Sequence, residues 1–86
     1  MATIDVTPDF EKAFRRLPVR IQRLATKKTS WFRDNAHDSR LKTHKLSGQL
    51  NEHWSFSVNR EYRILFEFTS NTTALFHSIG THAIYR

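Results

Sequence analysis

No cysteine occurs among the 86 residues, so neither a disulfide framework nor a zinc–thiolate site can hold the chain together. That composition suits a reducing cytosol, which is where the sequence points. Glycine and proline number two each, which excludes a Gly-rich phosphate loop and leaves Gly48 and Gly80 as markers of tight backbone. No apolar run approaches the roughly 20 residues of a membrane span. The first ten residues, with Asp5 among them, do not read as a signal peptide, so no membrane partner is expected. Acidic side chains are missing from one long stretch. Between Lys12 and Arg33 every charged residue is basic: Lys12, Arg15, Arg16, Arg20, Arg23, Lys27, Lys28 and Arg33.

The whole chain carries 14 Lys plus Arg against 8 Asp plus Glu, a formal net charge of +6. A field of one sign attracts phosphate backbones by counterion release and steers association, so an anionic partner is implied, either nucleic acid or an acidic protein. The length allows one domain, spanning residues 1–86. Seven Phe, two Trp and two Tyr supply the large buried area that so short a chain needs.

Ile4 and Val6 alternate with Thr3 and Asp5, which predicts a strand over Ala2–Val6. Thr7, Pro8 and Asp9 are cap, first-turn and dipole-compatible residues of a helix carrying Phe10, Phe14 and Leu17 on one stripe. Pro18 ends it and is predicted to open a second helix, with Val19, Ile21, Leu24, Ala25, Trp31 and Phe32 on its apolar side. A polar loop follows over Asp34–Ser39. Strands are then expected over Arg40–Leu46, Trp54–Val58, Tyr62–Phe68 and Thr73–Ile79. Turns fall at Ser47-Gly48, Asn59–Glu61 and Ser70-Asn71. The fold class is α+β: an N-terminal strand, a helical hairpin, then antiparallel strands in one small curved sheet. With Tyr62, Ile64, Phe66 and Phe68 packed under the helices, Arg63 must point to the open face.

Histidines stand at 37, 44, 53, 77 and 82, with no close helical or strand spacing of a metal motif, so neither metal nor cofactor is expected. His77 reads as a packed strand residue, and His37 and His53 as loop or strand-edge surface. Metal-free RNA cleavage needs a base for the ribose 2′-hydroxyl, a cation for the phosphorane and an acid for the departing 5′-oxygen. His44-Lys45, Arg60 with Arg63, and His82, Tyr85 and Arg86 are residue types suited to those tasks.

The run His44-Lys45-Leu46-Ser47-Gly48-Gln49-Leu50, followed by Trp54-Ser55-Phe56-Ser57-Val58-Asn59-Arg60-Glu61-Tyr62-Arg63-Ile64-Leu65-Phe66, resembles the central block of the RelE/YoeB/YafQ toxin superfamily. Ile79-Gly80-Thr81-His82-Ala83-Ile84-Tyr85-Arg86 resembles the closing Gly-Thr-His motif of the YafQ-like branch. The resemblance implies a RelE-like fold and a toxin of a type II toxin–antitoxin system. The implied activity is that of a metal-independent, ribosome-dependent messenger-RNA endoribonuclease. It assigns phosphate stabilisation to Arg63, the leaving group to His82 and a base position to His44. Tyr85 is similar to the family's C-terminal tyrosine. RNA binding falls to Lys28, Lys42, Lys45, Arg60 and Arg86. The hairpin positions at which YafQ-like proteins carry a histidine and an aspartate hold Val58 and Tyr62 here, which leaves a YoeB-like proton arrangement or a weak activity. The implied partners are a cognate acidic antitoxin, the ribosome and messenger RNA. The toxin itself would be monomeric, with higher-order assembly only through the antitoxin. Two alternatives stand beside this reading: a ParE-like inhibitor of DNA gyrase, and a non-catalytic basic RNA-binding module.

Overall fold

Thr7 decides where the first helix begins. Its side chain accepts a hydrogen bond from the Phe10 amide at 3.0 Å, Pro8 occupies the first turn, and Asp9 and Glu11 sit at the positive end of the dipole. The computed structural model of the chain describes residues 1–48 and 52–85, Tyr85 by its backbone alone. Helix α1 spans Pro8–Arg15 and α2 spans Val19–Asp34. Pro18 stands just outside α2 instead of opening it. Its φ of −53° and ψ of 144° make it the cap, and its carbonyl accepts from the Ile21 and Gln22 amides at 2.9 and 3.0 Å. The Gln22 side chain then reaches back to the carbonyls of Phe14 and Leu17 at 3.0 and 3.1 Å. Acceptors left over at the end of α1 are thereby satisfied from α2, which fixes the corner between the helices.

The strands are β1 (Thr3–Val6), β2 (His44–Lys45), β3 (Trp54–Ser57), β4 (Arg63–Phe68) and β5 (Thr73–Gly80), in the order β1-β5-β4-β3-β2. From β2 to β5 neighbours run antiparallel, as the alternation implied. β1 lies parallel to β5, Thr3 opposite Thr73 and Val6 opposite Phe76, so the sheet is mixed. The strand expected over Arg40–Leu46 is far shorter. The Asp38 carboxylate accepts the Arg40 amide at 2.9 Å, winding Ser39–Leu41 into a 3-10 turn, and Lys42 ends it in the left-handed region at φ 54°. Only His44 and Lys45 are left to pair with β3. The turn between β3 and β4 is held by Asn59, whose side-chain oxygen accepts from the Glu61 and Tyr62 amides at 2.9 and 2.8 Å.

One residue organises the interior. Phe32 of α2 is fully buried, with ring centres of Phe56 and Phe66 at 4.9 Å and of Phe76 at 5.4 Å. These rings come from β3, β4 and β5, so a single helical side chain ties α2 to three strands. Phe76 and Ile79 both join this core although they are three residues apart on one strand. A bulge makes that possible: Leu65 pairs with Ser78 and Phe66 with Phe76, leaving His77 as an extra residue on β5. Among the described residues no helix is long and apolar enough to cross a membrane.

Truncating the central ring tests this account. Phe32→Ala should cost ~3–5 kcal/mol, a large share of the ~5–15 kcal/mol that holds a small domain folded. Urea unfolding should show a midpoint lowered accordingly. A cost below about 1 kcal/mol would mean that the core closes over the loss and that Phe32 is not its centre.

Candidate functional site

Alternation along the sheet puts Phe56, Ile64 and Phe66 under the helices and turns Ser57, Arg63 and Leu65 to the other face. Arg63 has Ser57 as its cross-strand partner on one side and Gly80 on the other. Arg63 Nη1 donates to Ser57 Oγ at 2.5 Å, and Arg63 Nε donates to His82 Nε2 at 3.2 Å. A guanidinium has no lone pair to offer, so the imidazole Nε2 is the acceptor and its ring proton sits on Nδ1.

His82 reaches Arg63 because the chain folds back at once after β5. It opens a 3-10 turn over His82–Tyr85, closed by the Ile84 amide donating to the Thr81 carbonyl at 3.0 Å. Gly80 permits this. A Cβ at that position would stand 2.6 Å from Ile84 Cγ2, so Ile84 would have to move to admit one. The glycine of Gly80-Thr81-His82 thus lets Ile84 pack close against the end of β5 in the turn that carries His82.

Around Arg63 lies a cleft of about 290 Å³ lined by Lys28, Arg40, Lys42, Ser57, Val58, Asn59, Arg60 and Arg63. Five of these side chains are cationic and none is a carboxylate. Trp31 carries two of the cations on its ring: the Arg40 guanidinium at 3.7 Å and the Lys28 ammonium at 4.0 Å from its centre. Burial, then the charges of Lys27 and Arg40, lower the Lys28 pKa. Arg40 is steadied from behind by Asp38, through Nε to Oδ1 at 3.0 Å and Nη2 to Oδ2 at 2.7 Å. These side-chain bonds, followed by the Arg40 backbone amide, hold the Asp38 carboxyl at about 2.

The sequence-derived residues fall into four groups. Arg63 and His82 touch, and Lys28, Lys42 and Arg60 line the same cleft. His44 pairs with Ser55 and shares the open face, exposed, with Nδ1 2.9 Å from the Lys42 carbonyl. Lys45 pairs with Trp54 instead, so its side chain projects on the helix side, away from the cleft. The Tyr85 side chain and Arg86 lie outside the described residues. Three residues join that the sequence had not singled out: Ser57, Asn59 and Arg40. Ser57 was findable, because alternation sends it to the open face in the strand next to Arg63. Arg40 was hidden by the strand assigned over it.

This fold and cleft define a class: a small α+β protein with a cation-lined open sheet face. The chain belongs to the RelE-like HigB toxins of type II toxin–antitoxin systems, whose family model matches residues 10–78. No curated protein matches it in sequence. Among solved structures it is similar to YafQ from E. coli BL21(DE3), with a TM-score of 0.78 at 15% identity over 95% of this chain and 94% of that one. The YoeB/ParE toxin from Agrobacterium tumefaciens matches at 0.78 and 14% identity, covering 93% and 98% of the two chains. YoeB in its complex with YefM from Staphylococcus aureus matches at 0.76 and 17% identity, covering 92% and 94%.

Two measurements follow from the geometry. In Gly80→Ala the turn should be pushed off β5, and NMR shifts should change at residues 80–85 and at Arg63 Nε while the circular dichroism stays native. An unaltered Arg63 Nε would show that Ile84 simply rotates away. The Asp38 carboxyl should titrate near 2 and move up toward its ordinary 3.8 in Arg40→Ala. Because the folded value is depressed, the interaction with Arg40 is complete above pH 3.8 and disappears as pH falls through about 2.

Proposed function

We propose that this toxin is an endoribonuclease acting on messenger RNA at the ribosome, and that the Arg63 cleft is where it cuts. The observation that carries the reading is the Arg63 guanidinium, held between Ser57 and His82 at the edge of a cleft lined by five cations. Such a site binds a phosphodiester and places a forked donor where charge develops on the phosphorane. In the proposed reaction the ribose 2′-hydroxyl attacks the adjacent phosphorus, and the bond to the 5′-oxygen breaks. His82 supplies the proton to that oxygen, and His44 or Tyr85 removes the one from the 2′-hydroxyl. An incoming phosphate oxygen competes for Arg63 Nε, and the freed His82 Nε2 then takes up from solvent the proton that it later gives to the departing 5′-oxygen. Lys28, Lys42, Arg40 and Arg60 hold the backbone of the strand.

The same charge supports an acidic antitoxin as partner, in line with the S. aureus toxin, which is seen with YefM. Ile4, Val6, Phe10 and Phe14 line an apolar groove beside α2, with Arg33 among its lining residues. An amphipathic acidic segment that orders on binding fits both features.

A translation extract programmed with a defined message tests the activity. Added toxin should give discrete cuts, and Arg63→Ala should lower the rate ~10²–10³-fold, the usual consequence of losing a preorganised charge-stabilising donor. His82→Ala should also slow cleavage, and the paired substitution should not simply multiply the two losses, because the residues touch. Cleavage that survives the double substitution would sink the assignment. Inhibition of gyrase supercoiling without any RNA cutting would replace it.

A further inference from the structure

The open face carries a second polar cluster that the proposed cleavage does not use. His53, Glu67 and His77 each bring one ligand atom into a group whose members all lie within 4.8 Å of one another. They come from three neighbouring strands: His53 immediately precedes β3, Glu67 is on β4 and His77 is the bulge residue of β5. Their spacing in sequence conceals this, because no two of them share an element.

Three features distinguish the group from a chance surface cluster. His53 Nδ1 and His77 Nε2 are buried yet neither makes a hydrogen bond. Buried ring nitrogens without partners are costly and uncommon, and here both are ready-made donors. The two imidazoles are packed together at 4.9 Å between centres. Finally, the carboxylate sits beside them: Glu67 Oε2 is 3.6 Å from His77 Nε2, longer than a hydrogen bond. A tetrahedral zinc with bonds of ~2.0–2.2 Å holds its ligands roughly 3.3 Å apart. Small side-chain rotations would bring the three atoms to that spacing.

We propose that His53, Glu67 and His77 form a binding site for a divalent late transition cation, of which zinc is the type. Two imidazoles and one carboxylate suit such an ion better than magnesium or calcium, which prefer all-oxygen shells. All three side chains are only partly buried, so solvent can complete the shell. The site is separate from the Arg63 cleft. Glu67 lies four residues along β4 from Arg63, about 13 Å at strand rise, with Leu65 between them on the same face. The ion would clamp β3, β4 and β5 together on the side opposite the aromatic core. Binding by the folded state alone would then raise thermal stability with the logarithm of free zinc above the dissociation constant.

The untagged, chelator-treated chain would be titrated with zinc chloride by calorimetry, and its melting followed with and without zinc. One equivalent should bind, and the melting temperature should rise with zinc concentration. His53→Gln combined with His77→Gln should weaken binding more than tenfold and remove the melting shift. Glu67→Gln, which preserves shape, should weaken it less. Added nickel should broaden NMR signals around residues 53, 67 and 77 in the native chain. The His44→Gln/His82→Gln chain should keep its zinc affinity. Absence of saturable binding, or affinity unchanged by the His53/His77 pair, would overturn the proposal. So would loss of binding in the His44/His82 chain. Failure here leaves the cleavage reading untouched, since neither variant set in the translation extract involves these three residues.

Discussion

The seating of Phe32 among Phe56, Phe66 and Phe76 is the interaction on which the rest depends. It selects which face of each strand is covered. Once Phe56, Ile64 and Phe66 are committed to the helices, the period of two leaves Ser57, Arg63 and Glu67 no choice but the other side. A one-residue slip of β4 would bury Arg63 against aromatic rings and expose Ile64 and Phe66. The penalty for a desolvated, unpaired guanidinium would then add to the lost burial. Core packing thus enforces the register that sets Arg63 beside Ser57.

That logic explains which parts were legible in the sequence. Capping by Thr7, the alternation of β3 and β4 and the outward aim of Arg63 are local consequences of residue order, and they stand as read, whereas the bulge breaks the alternation of β5. The parallel pairing of β1 with β5 is not local. It needs the strand at one end of the chain to meet the strand at the other, which no window of sequence displays. The short β2 has a different cause. Arg40–Leu46 alternates well enough to pass for a strand, but Asp38 captures the Arg40 amide and the backbone turns left-handed at Lys42. Side-chain competition for a backbone amide overrode the pattern. Of the site residues named from the sequence, Lys28, Lys42, Arg60 and Arg63 line one cleft and His82 touches Arg63. Ser57 was passed over as a spacer because its role exists only across the β3–β4 pairing. Lys45, named from the sequence as RNA-binding, pairs with Trp54 and so lies on the face opposite the cleft, which only that register shows.

The basic charge also proves to be managed rather than merely accumulated. Lys28 and Arg40 approach the same Trp31 ring, and two cations so close repel each other. Asp38 offsets part of that repulsion through its bonds to Arg40. Asp38 is not among the residues lining the cleft, so the counter-charge positions a cation from behind and leaves the lining itself without a carboxylate. A tryptophan face offers a further advantage: it attracts cations through its quadrupole without a compensating negative charge. Like-signed side chains can therefore be held in place ahead of any phosphate.

The open face divides into two polar ends with a quiet middle. At one end Arg63, Ser57 and His82 form a bonded set; at the other His53, Glu67 and His77 gather without hydrogen bonds to the two buried ring nitrogens. Ser55 and Leu65, opposite each other across β3 and β4, separate them. This separation matters to the proposed chemistry. Glu67 is a carboxylate on the same strand and the same face as Arg63, and adjacent to it would neutralise the charge meant for phosphate. Four residues along the strand, with Leu65 intervening and His77 beside it, it faces the imidazoles instead. The bulge completes the arrangement. By inserting His77 without moving Phe76 or Ile79 out of the core, β5 gains a side chain on the open face that strict alternation would have paired with a buried position. The same irregularity that lets both hydrophobic residues pack therefore supplies the partner that keeps Glu67 away from the arginine.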